Sequence, residues 1–179
     1  FLDKSDTSHS FVLFVKPEDK DEVQSLVDGK KFSLVPTDIR WHSLREQISF
    51  GKVIERQKLD LMHFTYFSVP IFYSKPFILT IHDLILHHFP TGQASTLPLP
   101  IYYLKWIGYK QIIRSGAQKA KHIIAVSNAT KSEIIDHLHI SETKISVIYE
   151  GVDKNLGLKT NDLGLKTNDQ KYFLHVGNV

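Results

Sequence analysis

The stretch AQKAKHIIAVSNATKSEIIDHL, residues 117–138, decides the fold. A helical tail runs into HIIAVS (122–127), an apolar segment rich in β-branched residues and too short for a buried helix. Ser, Asn and Thr follow, and helical spacing returns at Ile134, Ile135 and Leu138. Thr130 and Glu133 stand at the spacing of a capping box. Helix, buried strand and capped helix in succession make the repeating unit of a parallel sheet.

Reading outward, FVLFV (11–15), KFSLVPTDI (31–39), LDLMHFTY (59–66), PFILTIHDL (76–84) and KISVIYEGV (144–152) carry the same strand signature, with Pro36 suited to a strand end or an edge. WHSLREQISFGKVIERQK (41–58) repeats apolar residues at Trp41, Leu44, Ile48, Val53 and Ile54, which predicts a helix weakened at Gly51. PIYYLKWIGYKQIIRSGAQKAK (100–121) predicts a long helix with Pro100 in its first turn. Alternating strands and helices predict an α/β protein, a Rossmann-like parallel sheet with helices on both faces.

A chain of 179 residues, 42% hydrophobic, has room for one proper core. The formal charge of +3 is far from the dense basic surface of a nucleic-acid binder, so no nucleic-acid partner is expected. The absence of cysteine excludes disulfides and thiolate metal sites and fits a reducing, cytoplasmic setting. No apolar run approaches the roughly 20 residues that cross a bilayer.

Both ends read as cut. FLDKSDTSHS resembles a helix tail entering a loop, and KYFLHVGNV a fresh strand halted after a glycine. LGLKTND occurs twice, at 156–162 and 163–169, in a stretch too rich in Gly, Asn and Asp for a buried face. The expected organisation is a Rossmann-like domain over 1–153, incomplete at its start, a duplicated linker loop over 154–170, and the first strand of a truncated second domain over 171–179.

Ligands of open parallel sheets bind beyond the carboxyl ends of the strands. Four polar clusters follow strands here: TYFSVP, HDLILHH, SNATK and EGVD. His82 ends a buried strand, where an imidazole could donate a hydrogen bond or carry charge beside an anion; a satisfied core histidine is the plain alternative. His82, Asp83, His87 and His88 are metal-ligand types, but neighbours on a strand point to opposite faces, so no metal site is expected. His87 and His88 read as a polar loop. Ser127, Asn128, Thr130 and Lys131 open a helix, which suits a phosphate or a sugar hydroxyl as well as ordinary capping.

The helix over 100–121 carries Lys105, Lys110, Arg114, Lys119 and Lys121 without an acid, interleaved with Tyr102, Tyr103, Trp106 and Tyr109. The cations scatter around the axis, which favours a solvated helix with its aromatics inward, and peripheral membrane contact comes next. None of the nine glycines makes a dinucleotide or Walker loop, so no cofactor bound by these residues is expected.

Taken in order, LDLMHFTYFSVP, ILTIHDL, AQKAKHIIAVSNATKSEI and ISVIYEGVD resemble the N-terminal, acceptor-side domain of the family 4 ("group 1") retaining glycosyltransferases of GT-B fold. The resemblance runs from about residue 9 to 153 and resumes at 172. It implies one half of a GT-B fold whose first strand and glycine loop would precede Phe1. It implies transfer of a sugar from a nucleotide-sugar to a sugar or lipid-linked acceptor, without an obligatory metal, in the cytoplasm or at the inner face of the membrane. His82 matches the family's strand-end histidine on the donor-sugar side of the cleft, and Ser127 its serine-led segment. The expected site is therefore His82 as the catalytic group, with Tyr66, Asp83, Ser127, Asn128 and Lys131 binding substrate. Glu150 departs from the pattern, standing where many relatives have asparagine before Gly-Val-Asp. The alternative class is a non-catalytic sugar- or phosphate-binding α/β module, and the oligomeric state is left open.

Since a slack linker contributes no core, deleting one copy of LGLKTND should leave the thermal melting temperature unchanged. A fall of several degrees would show that the segment packs.

Overall fold

The computed structural model describes residues 8–27, 29–40, 43–88 and 98–151. The duplicated loop (154–170) and the strand expected at 171–179 lie outside them. By internal contacts the chain divides after Tyr149, and every element below belongs to the first unit.

Two parallel sheets form. β1 (Phe11–Val15) pairs with β2 (Phe32–Pro36) in a register from Phe11↔Phe32 to Val15↔Pro36, so Pro36 falls at the strand end. The charged stretch after Pro17 is helical: a 3-10 turn (Pro17–Asp19) leads into α1 (Lys20–Leu26). The second sheet has the order β3 (Met62–Phe64), β4 (Phe77–Ile81), β5 (His122–Ala125), β6 (Ile145–Val147), all parallel.

Register divides the larger sheet into two unlike faces. Met62, Phe64, Phe77, Leu79, Ile81, Ile123, Ala125 and Ile145 share one face and are buried. They form one core with Phe50, Ile54, Ile113, Ala117, Ile134 and Leu138 from the helices. The other face carries His63, Ile78, Thr80, His122, Ile124 and Ser146, where His63 Nε2 bonds Thr80 Oγ1 at 2.8 Å and His122 Nε2 bonds Ser146 Oγ at 2.8 Å. Of these Thr80 is buried, and Ile78, His122 and Ile124 are half-buried.

The helix expected over 41–58 has a different register. Ser43 Oγ accepts from the Glu46 N–H at 3.1 Å, a π-helical turn runs over Glu46–Phe50, and α2 (Gly51–Glu55) continues it. The wider turn adds a residue per turn and rotates the inward stripe onto Glu46, Phe50 and Ile54. Leu44 and Ile48, expected inside, are exposed. Gln47 pins the loop after β3, accepting from Ile71 N–H (3.1 Å) and donating to Ser68 Oγ (3.3 Å). That loop folds inward at Ser68, Val69 and Pro70, so most of TYFSVP is packed rather than presented.

α3 (Ile85–His88) is a single turn where a loop was expected. α4 (Leu99–Lys119) buries only Ile113, Gly116 and Ala117, and its last carbonyls accept from Lys144 Nζ, through Ala117 O (2.9 Å) and Gln118 O (2.7 Å). Its aromatics are not simply inward, because Tyr103 is exposed. α5 (Asn128–Leu138) is capped by Ser127, whose Oγ accepts from Thr130 N–H at 3.0 Å, in place of the expected Thr130–Glu133 box. It ends at His139, in the left-handed conformation with φ 56°. No helix among the described residues is long and apolar enough to cross a membrane.

The two α4 glycines make a paired test. A Cβ on Gly116 would meet Val69 Cγ2 at 3.2 Å and Leu79 Cδ2 at 3.7 Å, whereas one on Gly108 meets nothing within 4 Å. Gly108→Ala should raise unfolding free energy by about 0.5–1 kcal/mol, and Gly116→Val should lower it by about 1–3 kcal/mol. Urea midpoints measure both.

Candidate functional site

Because β3 to β6 run parallel, the residues that follow them emerge at one edge: Thr65 and Tyr66, His82 and Asp83, Ser127 and Asn128, Ile148 and Tyr149. Hydrogen bonds stitch these segments together. His82 Nε2 lies 2.9 Å from Thr65 O, linking the ends of β4 and β3. Thr130 Oγ1 donates to His82 O at 3.1 Å, linking β4 to the first turn of α5. Asn128 Nδ2 donates to Tyr149 Oη at 3.0 Å, reaching the segment after β6.

Proton accounting constrains the chemistry. A carbonyl only accepts, so His82 Nε2 carries a hydrogen. In the neutral ring Nδ1 is then an acceptor, and it becomes a donor only in the imidazolium. Thr130 spends its one hydroxyl hydrogen on His82 O, so the 2.9 Å contact between Ser127 Oγ and Thr130 Oγ1 is donated by Ser127. Ser127 Oγ in turn accepts the Thr130 N–H. Thr130 is buried, which keeps this small network out of competition with water.

Each expected residue has a definite place. The Tyr66 ring sits 6.1 Å from the His82 ring and 4.3 Å from Phe67. Burial raises its phenol pKa, and the Asp83 charge raises it further, so Tyr66 is a neutral donor near pH 7. Asp83 Oδ1 accepts from Ile85 N–H at 3.0 Å, at the start of α3. Ser127 serves as the N-cap and Asn128 bonds Tyr149, as given above. Lys131 is the least rim-like: its ammonium lies 2.9 Å from Glu142 Oε1, and that hydrogen bond and the Lys131 charge pull the Glu142 carboxyl below its usual range. A ligand anion would have to compete with Glu142 for it.

His87 and His88 form a separate cluster behind the rim. His87 Nδ1 lies 3.2 Å from Tyr109 Oη, the His88 and His137 rings meet edge to face at 4.7 Å, and His88 Nε2 lies 3.4 Å from Glu133 Oε1. These contacts join α3, α4 and α5. Among the described residues no group of three or more His, Asp or Glu is placed to hold a metal ion. A concavity lies beyond the ends of β1 and β2, lined by Phe14, Lys16, Thr37, Glu46 and Phe50, and His82 is not part of its wall.

The model of Glycosyltransferase Family 4 matches residues 6–156. The chain belongs to glycosyltransferase family 4. It is also similar to the O-antigen chain mannosyltransferase RfbU of Salmonella typhimurium (strain LT2), with 25% identity over 137 residues. That match covers 76% of this chain and 32% of the relative, so the chain spans about a third of that protein's length. The parallel α/β architecture fits a Rossmann-like half of a GT-B fold.

Sequence reasoning about this family 4 domain missed Thr65, whose contribution is a backbone carbonyl and so has no residue-type signal. It read Thr130 as a cap and missed its second bond, to His82 O, across 48 positions of sequence. Tyr149 and Tyr109 were likewise visible only once the chain was folded.

The His87 cluster generates a pH prediction. Burial, then the charges of Lys110, His137 and His88, lower the His87 pKa from 6.5 to about 4. The folded state therefore holds His87 neutral where the unfolded chain protonates it. Stability from this group is fully present above pH 6.5 and is lost as pH falls toward 4. His87→Gln, which still bonds Tyr109 but does not titrate, should flatten the dependence of the urea midpoint on pH across that window. An unchanged slope would remove His87 as its source.

Proposed function

We propose that these residues form the acceptor-side domain of a retaining glycosyltransferase, which moves a sugar from a nucleotide-sugar to a sugar or lipid-linked acceptor in the cytoplasm. The observation that carries this reading is the convergence on His82 of the segments that follow the two flanking strands: the Thr65 carbonyl and the Tyr66 ring after β3, and the Thr130 hydroxyl after β5. Family membership supplies the reaction type, and the RfbU relative, a mannosyltransferase by name, makes a hexose the first donor sugar to try.

In the intact enzyme, the bond from the anomeric carbon to the diphosphate breaks as the acceptor hydroxyl oxygen adds on the same face, and the hydroxyl's proton passes to the departing diphosphate oxygen. The sugar passes through an oxocarbenium-like state. Fixed hydrogen bonds and cations that meet the departing charge lower that barrier most. His82 orients the sugar from the rim, with its ring plane set by Thr65 and its backbone by Thr130. Tyr66, Asp83, Ser127 and Asn128 bind substrate hydroxyls around it, and Lys131 contributes charge when a phosphate displaces Glu142.

The test is turnover of the intact enzyme with nucleotide-sugars. His82→Ala should cut transfer roughly 10- to 1000-fold with the fold retained, the range for losing a hydrogen bond to developing charge. His82→Gln keeps an N–H for Thr65 O but carries no charge, so partial recovery would assign His82 to orientation and none would assign it to charge. Wild-type activity in His82→Ala would sink the assignment. Sugar binding without any transfer would support a binding module instead.

A further inference from the structure

α4 faces the fold with one stripe. At 100° per residue Trp106 and Tyr109 fall on the same side as the buried Ile113, Gly116 and Ala117, while the apolar stripe of Ile101, Leu104 and Ile107 points outward and is exposed. The helix ends at Lys119, and Lys121 N–H donates to Phe77 O at 2.7 Å, at the amino ends of β4 and β5. α4 therefore runs back along the sheet, opposite to the strands. From Lys119 to Tyr109 it rises about 15 Å, and β4 spans about 17 Å, which brings Tyr109 to the level of the rim.

There Tyr109 touches both segments that flank His82. Its ring meets Phe67 edge to face at 4.9 Å, and Phe67 lies 4.3 Å from Tyr66, the neighbour of the His82 ring. Its hydroxyl lies 3.2 Å from His87 Nδ1, on the turn that begins at Ile85, two residues beyond Asp83. Burial raises the Tyr109 phenol pKa, and the charges of Asp83, Tyr66 and Glu133 raise it further, so the hydroxyl keeps its hydrogen.

α3 depends on such contacts. Leu84 is buried just before it, but Ile85–His88 contains no buried residue, and a single turn does not hold itself in water. Side chains of α4 and α5 tie it down: Trp106 Nε1 donates to Leu86 O at 2.7 Å, Tyr109 meets His87, and Glu133 meets His88 at 3.4 Å. Tyr109 also packs on the loop after β3, so one side chain joins the two arms of the rim.

We propose that Tyr109 is a positioning residue: it braces the Tyr66 segment against α3 and so fixes the spacing of Tyr66 and Asp83 beside His82. It acts through those two residues rather than on substrate. The kinetic consequence rests on the function proposed above, whereas the brace itself is measured without any reaction.

The variant is Tyr109→Phe, which keeps the ring on Phe67 and removes the oxygen that meets His87. In the full chain, amide exchange with solvent, read by NMR, should speed up about 3- to 10-fold at two positions, the range for losing one hydrogen bond. They are Ile85, whose N–H bonds Asp83 Oδ1, and His87, whose N–H bonds Leu84 O at 2.8 Å. Leu79 and Ile123, in the buried strands, should exchange as before, because only a general loss of stability would speed all four. In the intact enzyme with a nucleotide-sugar donor, Tyr109→Phe should lower kcat by a similar factor. In an Asp83→Asn background it should cost nothing further, since the brace then has nothing left to position. Unchanged exchange at Ile85 and His87, equal acceleration at Leu79 and Ile123, wild-type kcat, or a loss that multiplies with that of Asp83→Asn would each overturn the proposal. If the intact wild-type enzyme transfers no sugar, the proposed function falls, and the exchange measurement alone decides whether Tyr109 braces α3.

Discussion

The pairing of β4 with β5 is the constraint on which the rest depends. Its register runs from Ile78↔His122 to Ile81↔Ala125, and it does two things at once. It aligns Leu79 with Ile123 and Ile81 with Ala125 on the buried face, where α4 and α5 close over them. It also ends both strands at the same level, so that His82 and Ser127 emerge side by side. A slip of one residue would turn every core side chain to the half-exposed face and carry the rim out of alignment. Core and site are therefore held by the same ladder.

Close packing of α4 makes that ladder rigid. At Gly116 the helix comes near enough to Val69 that a methyl group would crowd it, and Leu79 lies within ordinary contact. The loop after β3 is trapped between α4 and α2, with Val69 under Gly116, Gln47 bonding at Ser68 and Ile71, and Lys119 Nζ donating to Ile71 O at 2.8 Å. Thr65 begins this loop, so the carbonyl that holds the His82 ring is fixed from below. The candidate site is built on strand ends and a helix N-terminus, and its loop is braced.

Strands were legible because their signal is local. Runs such as FILTI and HIIA are short, mostly apolar and rich in β-branched residues, which is the local signature of a strand in a parallel sheet. The 41–58 helix was legible in kind but not in register, since the π-helical turn at Glu46–Phe50 moves the inward stripe without changing the composition. Capping at α5 was misplaced for a related reason: Ser127, Thr130 and Glu133 lie three apart in turn, so both pairs carry the same spacing, and only the strand's end at Ala125 selects Ser127. The outward apolar stripe of α4 was hidden among aromatics that read as core.

The sequence by itself determined the α/β class, the order of strands and helices, the family, and the presence of His82, Asp83 and Ser127 within two residues of strand ends, because each of these rests on residue type at short spacing. Tertiary structure alone decided that Thr65 O and Thr130 Oγ1 hold His82, that Lys131 meets Glu142, that His87 packs on Tyr109, and which side of α4 is left outside. Those contacts join positions from 11 to 48 residues apart through backbone carbonyls and side-chain directions. Such pairings are set by strand register and helix packing, and neither is encoded in the identity of the residues that meet.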